Sequence, residues 1–232
     1  MFERPHHRRI AAVLEALDAP KLEAHQCFFG GGTAMALRYG EYRESVDIYL
    51  LVSDLAGYRA LRQVLMDALG VQAIARSGAT LIAAREVRAD QYGIRTMLEE
   101  DGVQIKFEIV LEARIDLEQP PANADRLCGI ATLTPLDMAA SKLLANSDRW
   151  RDDAVHSRDL IDLAMMKPSK ALLRQAVAKA EGAYGESIQI DLARAIERLR
   201  EQPHRLAQCM AALGMQQVTS AVVWKHIKSL VR

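Results

Sequence analysis

The chain has 232 residues, enough for one large domain or two small ones; half of them are hydrophobic and 26% charged, which excludes a disordered chain. Thirty basic side chains balance thirty acidic ones, and that excludes a histone-like polybasic binder on global charge. Cys27, Cys128 and Cys209 are far apart and contain no CxxC pair, so zinc ribbons and disulfide frameworks are not expected.

No apolar run approaches the roughly 18 residues of a membrane span. The opening MFERPHHRRIAAVLEAL lacks the clean apolar segment of a secretion signal. The expectation is a cytoplasmic protein with no membrane partner. The charge is unevenly spread: Lys167 to Arg232 holds 11 basic and 5 acidic residues, a net of +6, and the first 166 residues carry −6. That basic third is compatible with a polyanionic partner and equally with a solvated helical face.

In chain order, Pro5 to Leu17 predicts a helix with Ile10, Val13, Leu14 and Leu17 on one stripe. His6-His7 reads as a surface pair. Cys27 to Phe29 is a short apolar run, followed by Gly30-Gly31-Gly32-Thr33 and a helix from Ala34 to Tyr39. Ser45 to Val52 is a strand, rich in apolar and β-branched residues. Tyr58 to Leu69 is helical. Val71 to Ile74, Thr80 to Ala84, Tyr92 to Leu98 and Val103 to Leu111 are strands, with Asp101-Gly102 as a hairpin turn between the last two. The character changes after Pro120-Pro121. Thr134-Pro135-Leu136-Asp137 starts a helix, and Thr132 to Arg232 is nearly all helical, with breaks near Pro168, Gly182 to Gly185, Pro203 and Gly214. Met165-Met166 is expected in a core. The layout predicts an α/β head over 1–125 and a helical domain over 126–232. It is not the alternation of a doubly wound dinucleotide fold.

Four constellations could carry chemistry. Gly31-Gly32-Thr33 precedes a helix, where backbone N–H groups and the helix dipole favour an anion; alone, a glycine turn is equally a structural feature. In Arg43-Glu44-Ser45-Val46-Asp47-Ile48-Tyr49, strand alternation sends Val46, Ile48 and Leu50 to one face and Asp47, Tyr49 and Leu51 to the other. The apolar set belongs in a core, which leaves Asp47 facing a cleft. In Lys106-Phe107-Glu108-Ile109-Val110, Glu108 shares a face with Lys106, and a carboxylate among apolar neighbours needs a cation or metal; the alternative is an edge-strand ion pair. Lys142, Arg149, Arg158, Asp159 and Asp162 follow in the helical half. Asp159 and Asp162 are three apart and so share a helix face, which also suits a salt bridge between helices.

As an ordered set, FFGGGTAMALRYGEYRESVDIYLLVSD, VQIKFEIV and SKLLANSDRWRDDAVHSRDLIDL resemble the AbiEii/AbiGii toxin family of nucleotidyltransferases, in the polymerase-β-like superfamily. The resemblance covers residues 25 to 166. It implies an α/β (α+β) nucleotidyltransferase head with a small mixed sheet, an all-helical C-terminal domain, and a cleft between the two. It implies Mg²⁺-dependent (or Mn²⁺-dependent) transfer of a nucleotide from an NTP to an acceptor hydroxyl, two ions stabilising the attacking and leaving oxygens. Gly31, Gly32 and Thr33 would hold the triphosphate. Asp47 would be the main metal ligand, and Glu108 the third carboxylate. Lys142 would contact phosphate, Asp159 and Asp162 would complete the cleft, and Arg43 and Ser45 would brace the loop.

One departure stands out. The family's second motif acid falls on Tyr49, a neutral side chain near pH 7 and a poor Mg²⁺ ligand. Asp54 and Glu44 are the nearby acids that could compensate. The resemblance implies an RNA end, notably of tRNA, or a protein hydroxyl as acceptor, and a cognate antitoxin as partner. Two other readings stay open: a non-catalytic module that binds NTP or a partner, and an antibiotic nucleotidyltransferase with an acidic pocket.

Overall fold

The computed structural model describes residues 2–119, 126–202 and 204–231. Pro120, Pro121, the expected boundary at 125 and the expected break at Pro203 lie outside the described residues. The chain divides into two compact units: Met1–Leu37 with Ser45–Thr134, and Arg38–Glu44 with Pro135–Arg232. The division thus falls at Thr134/Pro135, later than the composition shift suggested, and the short segment 38–44 goes with the C-terminal unit.

The first unit opens with α1 (Pro5–Ala16) and α2 (Ala19–Ala24), the latter capped by Asp18, whose carboxylate accepts the Lys21 N–H at 3.0 Å. Then come β1 (Cys27–Gly30), α3 (Gly31–Arg38), β2 (Asp47–Val52) and α4 (Leu55–Met66). Strands β3 (Ile82–Ala83), β4 (Arg88–Ala89), β5 (Gly93–Glu100) and β6 (Val103–Leu111) follow, and then the small hairpin of β7 (Arg126–Leu127) and β8 (Ile130–Ala131). The main sheet runs β1-β2-β6-β5-β3, with β4 also pairing β5. It is mixed, since β2 and β6 are parallel and the other pairs antiparallel.

The period-two pattern accounts for one face of this sheet. Ile48, Leu50 and Val52, Ile105, Phe107 and Ile109, and Ile94 and Leu98 are all within 1% of full burial. Helix α1 lies against β5, and α4 against β2 and β4. They bring Ile10, Val13 and Leu14, and Tyr58, Leu61 and Leu65, as their buried stripes. The β5–β6 turn has Asp101 and Gly102 both at positive φ, the conformation a two-residue hairpin with right-handed strand twist needs.

Several expectations are corrected. Residues 70–74 form a 3-10 turn rather than a strand, because only Val71 and Ile74 are buried, a spacing of three. Val46 precedes β2 and is 56% exposed, so the apolar row starts at Ile48. The helix after the glycines starts at Gly31 itself. His7 is buried, not a surface residue.

In the second unit every element from Pro135 onward is helical among the described residues: α5 (Pro135–Arg149), α6 (Arg158–Met166), α7 (Lys170–Tyr184), α8 (Ser187–Glu201), α9 (Arg205–Ala212) and α10 (Ser220–Lys228). Helix α5 is the hub and touches α6, α7 and α8, while α10 packs on α6 and α9. Small residues at the centre, Ala139 and Ala140 on α5 and Ala176 and Ala180 on α7, are fully buried. The buried Asp137 carboxylate on the first turn of α5 accepts from Lys179 Nζ of α7 at 2.5 Å. Met165 and Met166 are in this core. Gly182 lies inside α7, and the chain turns only at Gly185, at positive φ. Among the described residues no helix is long and apolar enough to cross a membrane.

Candidate functional site

Each unit gathers its own set of the residues singled out in the sequence. In the first unit, β1 runs directly into α3 through Gly31, which sits at φ +70°. A Cβ at Gly31 would lie 3.1 Å from Cβ of Tyr49 and 3.2 Å from its ring, so the turn rests on that side chain and only glycine fits both constraints. The first N–H groups of α3 have no partner within the helix and form an electropositive end. Thr33, on that first turn, is fully buried. Its hydroxyl is 2.8 Å from Ser45 Oγ and 3.0 Å from Asp47 Oδ1, so one proton joins the glycine turn to the start of β2.

Ser45 is held from a direction that pattern reading missed. Its backbone N–H donates to Nε2 of His7 at 3.2 Å. That acceptor role puts the ring proton on Nδ1. His6, beside it, places Nε2 3.0 Å from the Val46 carbonyl. The sequence signal for the burial of His7 is its place on the α1 stripe, three and seven residues before Ile10 and Leu14; its acceptor role comes only from the long-range pairing.

The polar face of the sheet is read from strand register. Gly30 pairs Tyr49, Tyr49 pairs Glu108, Glu108 pairs Arg95, and Arg95 pairs Arg88, a single row over five strands. One step along, Asp47 pairs Lys106 and Lys106 pairs Met97. Paired residues project to the same side of a sheet, so Asp47, Tyr49, Glu108, Lys106, Arg95 and Arg88 share one surface. Asp47 and Tyr49 are half-buried. Glu108 lies on an interior strand, not an edge. Its carboxylate takes Lys106 Nζ at 2.6 Å and Arg95 Nε at 3.2 Å, with only 12% of its side chain exposed. Arg95 also donates to Asp90 at 3.0 Å. Asp54 does not compensate for Tyr49: its carboxylate caps α4 and accepts the Gly57 N–H at 2.5 Å. Glu44 is exposed and precedes β2.

The donor chemistry of this face decides what metal it could hold. A two-ion clamp needs several carboxylates. Here one of the expected three is a phenol, and another is neutralised by two cations at contact distance. Among the described residues no three His, Cys, Asp or Glu side chains converge. Asp47 suits one Mg²⁺ ion, because Mg²⁺ is commonly held by one or two carboxylates together with substrate phosphates. The face does not fit two ions.

The second unit collects Arg43, Lys142, Asp159 and Asp162. Asp162 is wholly buried and accepts Arg43 Nε at 2.6 Å and Nη2 at 2.9 Å, Tyr42 Oη at 2.6 Å and Lys142 Nζ at 2.6 Å. Lys142 Nζ also reaches Asp159 Oδ1 at 3.0 Å, and Asp159 takes Arg149 Nε at 2.7 Å. Burial alone would raise both carboxyls. Arg43 and Lys142 instead hold Asp162 well below the usual carboxylate range, and Lys142 and Arg149 hold Asp159 below it. Burial, and the Asp162 charge after it, push the Tyr42 phenol upward, keeping it a neutral donor. Glu44 N–H donates to the Leu213 carbonyl at 3.0 Å.

This network explains why segment 38–44 belongs to the helical unit. It also shows what Lys142 touches within this unit. Two of its three N–H groups meet carboxylates and the side chain is 7% exposed, so it ties α5 to α6.

The family model described as Nucleotidyl transferase AbiEii toxin, Type IV TA system, matches residues 13–226. Among solved structures, the chain is similar to JHP933 from Helicobacter pylori, at 14% identity and a TM-score of 0.51, over 99% of this chain and 93% of that one. Likeness at that identity concerns the fold alone. A presumptive nucleotidyltransferase from H. pylori aligns at 17% identity and a TM-score of 0.47, over 98% of this chain and 96% of that one. No curated protein sequence matches.

Proposed function

The chain belongs to the AbiEii nucleotidyltransferase toxin family, and from that premise we propose that it binds an NTP on the Gly31–Thr33 turn and transfers its nucleotidyl group to an acceptor hydroxyl, at a rate held low by Tyr49. The observation that carries this reading is the hydroxyl link from Thr33 to Ser45 and Asp47, which fixes a carboxylate beside a glycine-opened helix start. In that arrangement the α3 N–H groups and the Thr33 turn bind phosphate, with Asp47 beside them through its hydrogen bond from Thr33. A Mg²⁺ ion held by Asp47 and the phosphates would neutralise charge on the transferred group. Gly31, Gly32, Thr33 and Ser45 then position the nucleotide, and Asp47 and Glu108 are the carboxylates of the reaction centre. Arg43, Lys142, Asp159 and Asp162 act as positioning residues that hold their own unit together.

The acceptor class we favour is an RNA end, with a protein hydroxyl next and a small-molecule acceptor last. The family assignment makes a cognate antitoxin the expected protein partner. A second reading, nucleotide binding without turnover, is favoured by one specific observation: Tyr49 occupies the acid position and Glu108 beside it is already charge-neutralised.

The deciding experiment is label transfer from α-radiolabelled NTPs to total tRNA and to the protein itself, for this chain and for Tyr49→Asp. The expected result is a gain of at least about 100-fold in Tyr49→Asp, the worth of one well-placed electrostatic group in a transition state. Binding of NTP without transfer by either form would move the assignment to the binding module. Failure of both forms to bind NTP would overturn it.

A further inference from the structure

The polar face of the sheet carries cations beside the two carboxylates of the proposed reaction centre, Asp47 and Glu108. Lys106 is the β6 neighbour of Asp47, and Arg95 is the β5 neighbour of Glu108. Both touch Glu108, yet neither is used up by it. Lys106 engages one of three N–H groups there and its side chain is 54% exposed; Arg95 engages two of five, one on Glu108 and one on Asp90, and is 42% exposed. Arg88 lies directly opposite Arg95 on the next strand. Asp90 and Glu108 already offset Arg95 across this pair, and Arg88, exposed on β4, has no ion pair among the described residues, so the row keeps guanidinium donors available to a further anion. The row Tyr49–Glu108–Arg95–Arg88 therefore begins at the glycine turn and ends in two guanidiniums.

We propose that Lys106 and Arg95, with Arg88 behind them, bind the triphosphate directly and supply the positive charge that a second divalent ion would otherwise bring. The proposal rests on the nucleotide-binding reading above and names a further part of that site. Lys and Arg clamps on phosphoryl groups act by the same electrostatics as metal ions. A phenol at position 49 makes sense beside them: an aspartate there would add a negative charge next to Glu108 and compete with the triphosphate for the same two cations. Affinity for NTP in this chain is then largely independent of divalent metal.

The test is titration of a fluorescent ATP analogue, mant-ATP, in Mg²⁺ and in excess EDTA, with inorganic tripolyphosphate as competitor. Wild-type affinity in EDTA is expected within about threefold of that in Mg²⁺, less than the tenfold that 1.4 kcal/mol represents. Lys106→Gln and Arg95→Gln should each weaken binding in EDTA by about ten- to a hundredfold, the worth of one charge-assisted hydrogen bond. Lys106→Arg should restore most of it, and tripolyphosphate should displace the analogue. Tyr49→Asp should make binding metal-dependent. Binding that requires Mg²⁺ and ignores Lys106→Gln would overturn this inference while leaving the proposed function standing. Absence of binding in both conditions would remove both.

Discussion

Replacing Asp162 with asparagine should be among the most damaging conservative changes in the chain. The side chain is fully buried and accepts from Arg43, Lys142 and Tyr42, all between 2.6 and 2.9 Å. Arg43, Lys142 and Arg149 bring three positive charges, and Asp159 and Asp162 bring two negative ones. Asp162→Asn keeps the shape but leaves two uncompensated positives, and its amide N–H₂ must face a donor. Breaking one partner from a buried ion pair costs about 3–5 kcal/mol. At about 2–4 °C per kcal/mol for a chain of this size, the melting midpoint should fall by roughly 6–20 °C. Thermal unfolding by circular dichroism, with urea unfolding beside it, measures this. Tyr42→Phe removes only one donor to the same carboxylate and should cost about 1.5 kcal/mol. Adding Lys142→Met to Asp162→Asn removes one stranded charge and should recover part of the loss. A loss below about 1 kcal/mol for Asp162→Asn would refute the argument, because it would mean the cluster is hydrated enough to tolerate the missing charge.

Three further outcomes are expected. Gly31→Ala should destabilise by about 1–2 kcal/mol, since an L-residue is strained at its positive φ and its Cβ would press on Tyr49; urea unfolding checks this, and an unchanged midpoint would contradict it. His7→Leu removes the acceptor of a buried N–H and should cost about 1–3 kcal/mol, with amide exchange at Ser45 accelerating first. The helical unit should lose stability in acid. Asp159 and Asp162 have folded pKa values below their unfolded ones, so their contribution is complete above about pH 4 and declines as pH falls from there toward the depressed values. A urea midpoint that rises between pH 4 and pH 3 would reverse the sign.

Local chemistry was legible wherever its cause was local. Asp101-Gly102 announced a hairpin because both positions need positive φ, and β6 is the strand that Val103 to Leu111 predicted. The triple glycine announced a helix beside it, although that helix begins at Gly31 and takes the last two glycines into its first turn. The failures share a different cause. Val71 to Ile74 has β-branched composition but no partner strand, so a 3-10 turn took it. Helix α2 escaped notice because six residues show too little period, though Asp18 and Pro20 were its cap signals. His7 is in helical register with Ile10 and Leu14, which marks it for burial, but its hydrogen bond joins a residue 38 positions away and has no local signal.

The motif around Arg43, Ser45 and Asp47 shows the limit most sharply. In the sequence it reads as one functional string. In the structure the chain divides between Glu44 and Ser45: Arg43 pairs with Asp162 in the helical unit, while Ser45 and Asp47 take the Thr33 hydroxyl in the sheet unit. Spacing along a chain cannot distinguish a residue that touches substrate from one that anchors the segment carrying it. Burial and partner charge show only which unit holds each residue, and they divide the string between the two. Asp47 is half-buried with one carboxylate oxygen on Thr33, whereas Arg43 is almost wholly buried against a carboxylate. The same criteria apply to Tyr49. The resemblance expects an acid at this position, and the register row shows that the next side chain along, Glu108, is already held by Lys106 and Arg95. The tyrosine in that row adds no charge beside a carboxylate that already has its cations, so Tyr49→Asp is an electrostatic change to the whole row, not to one position.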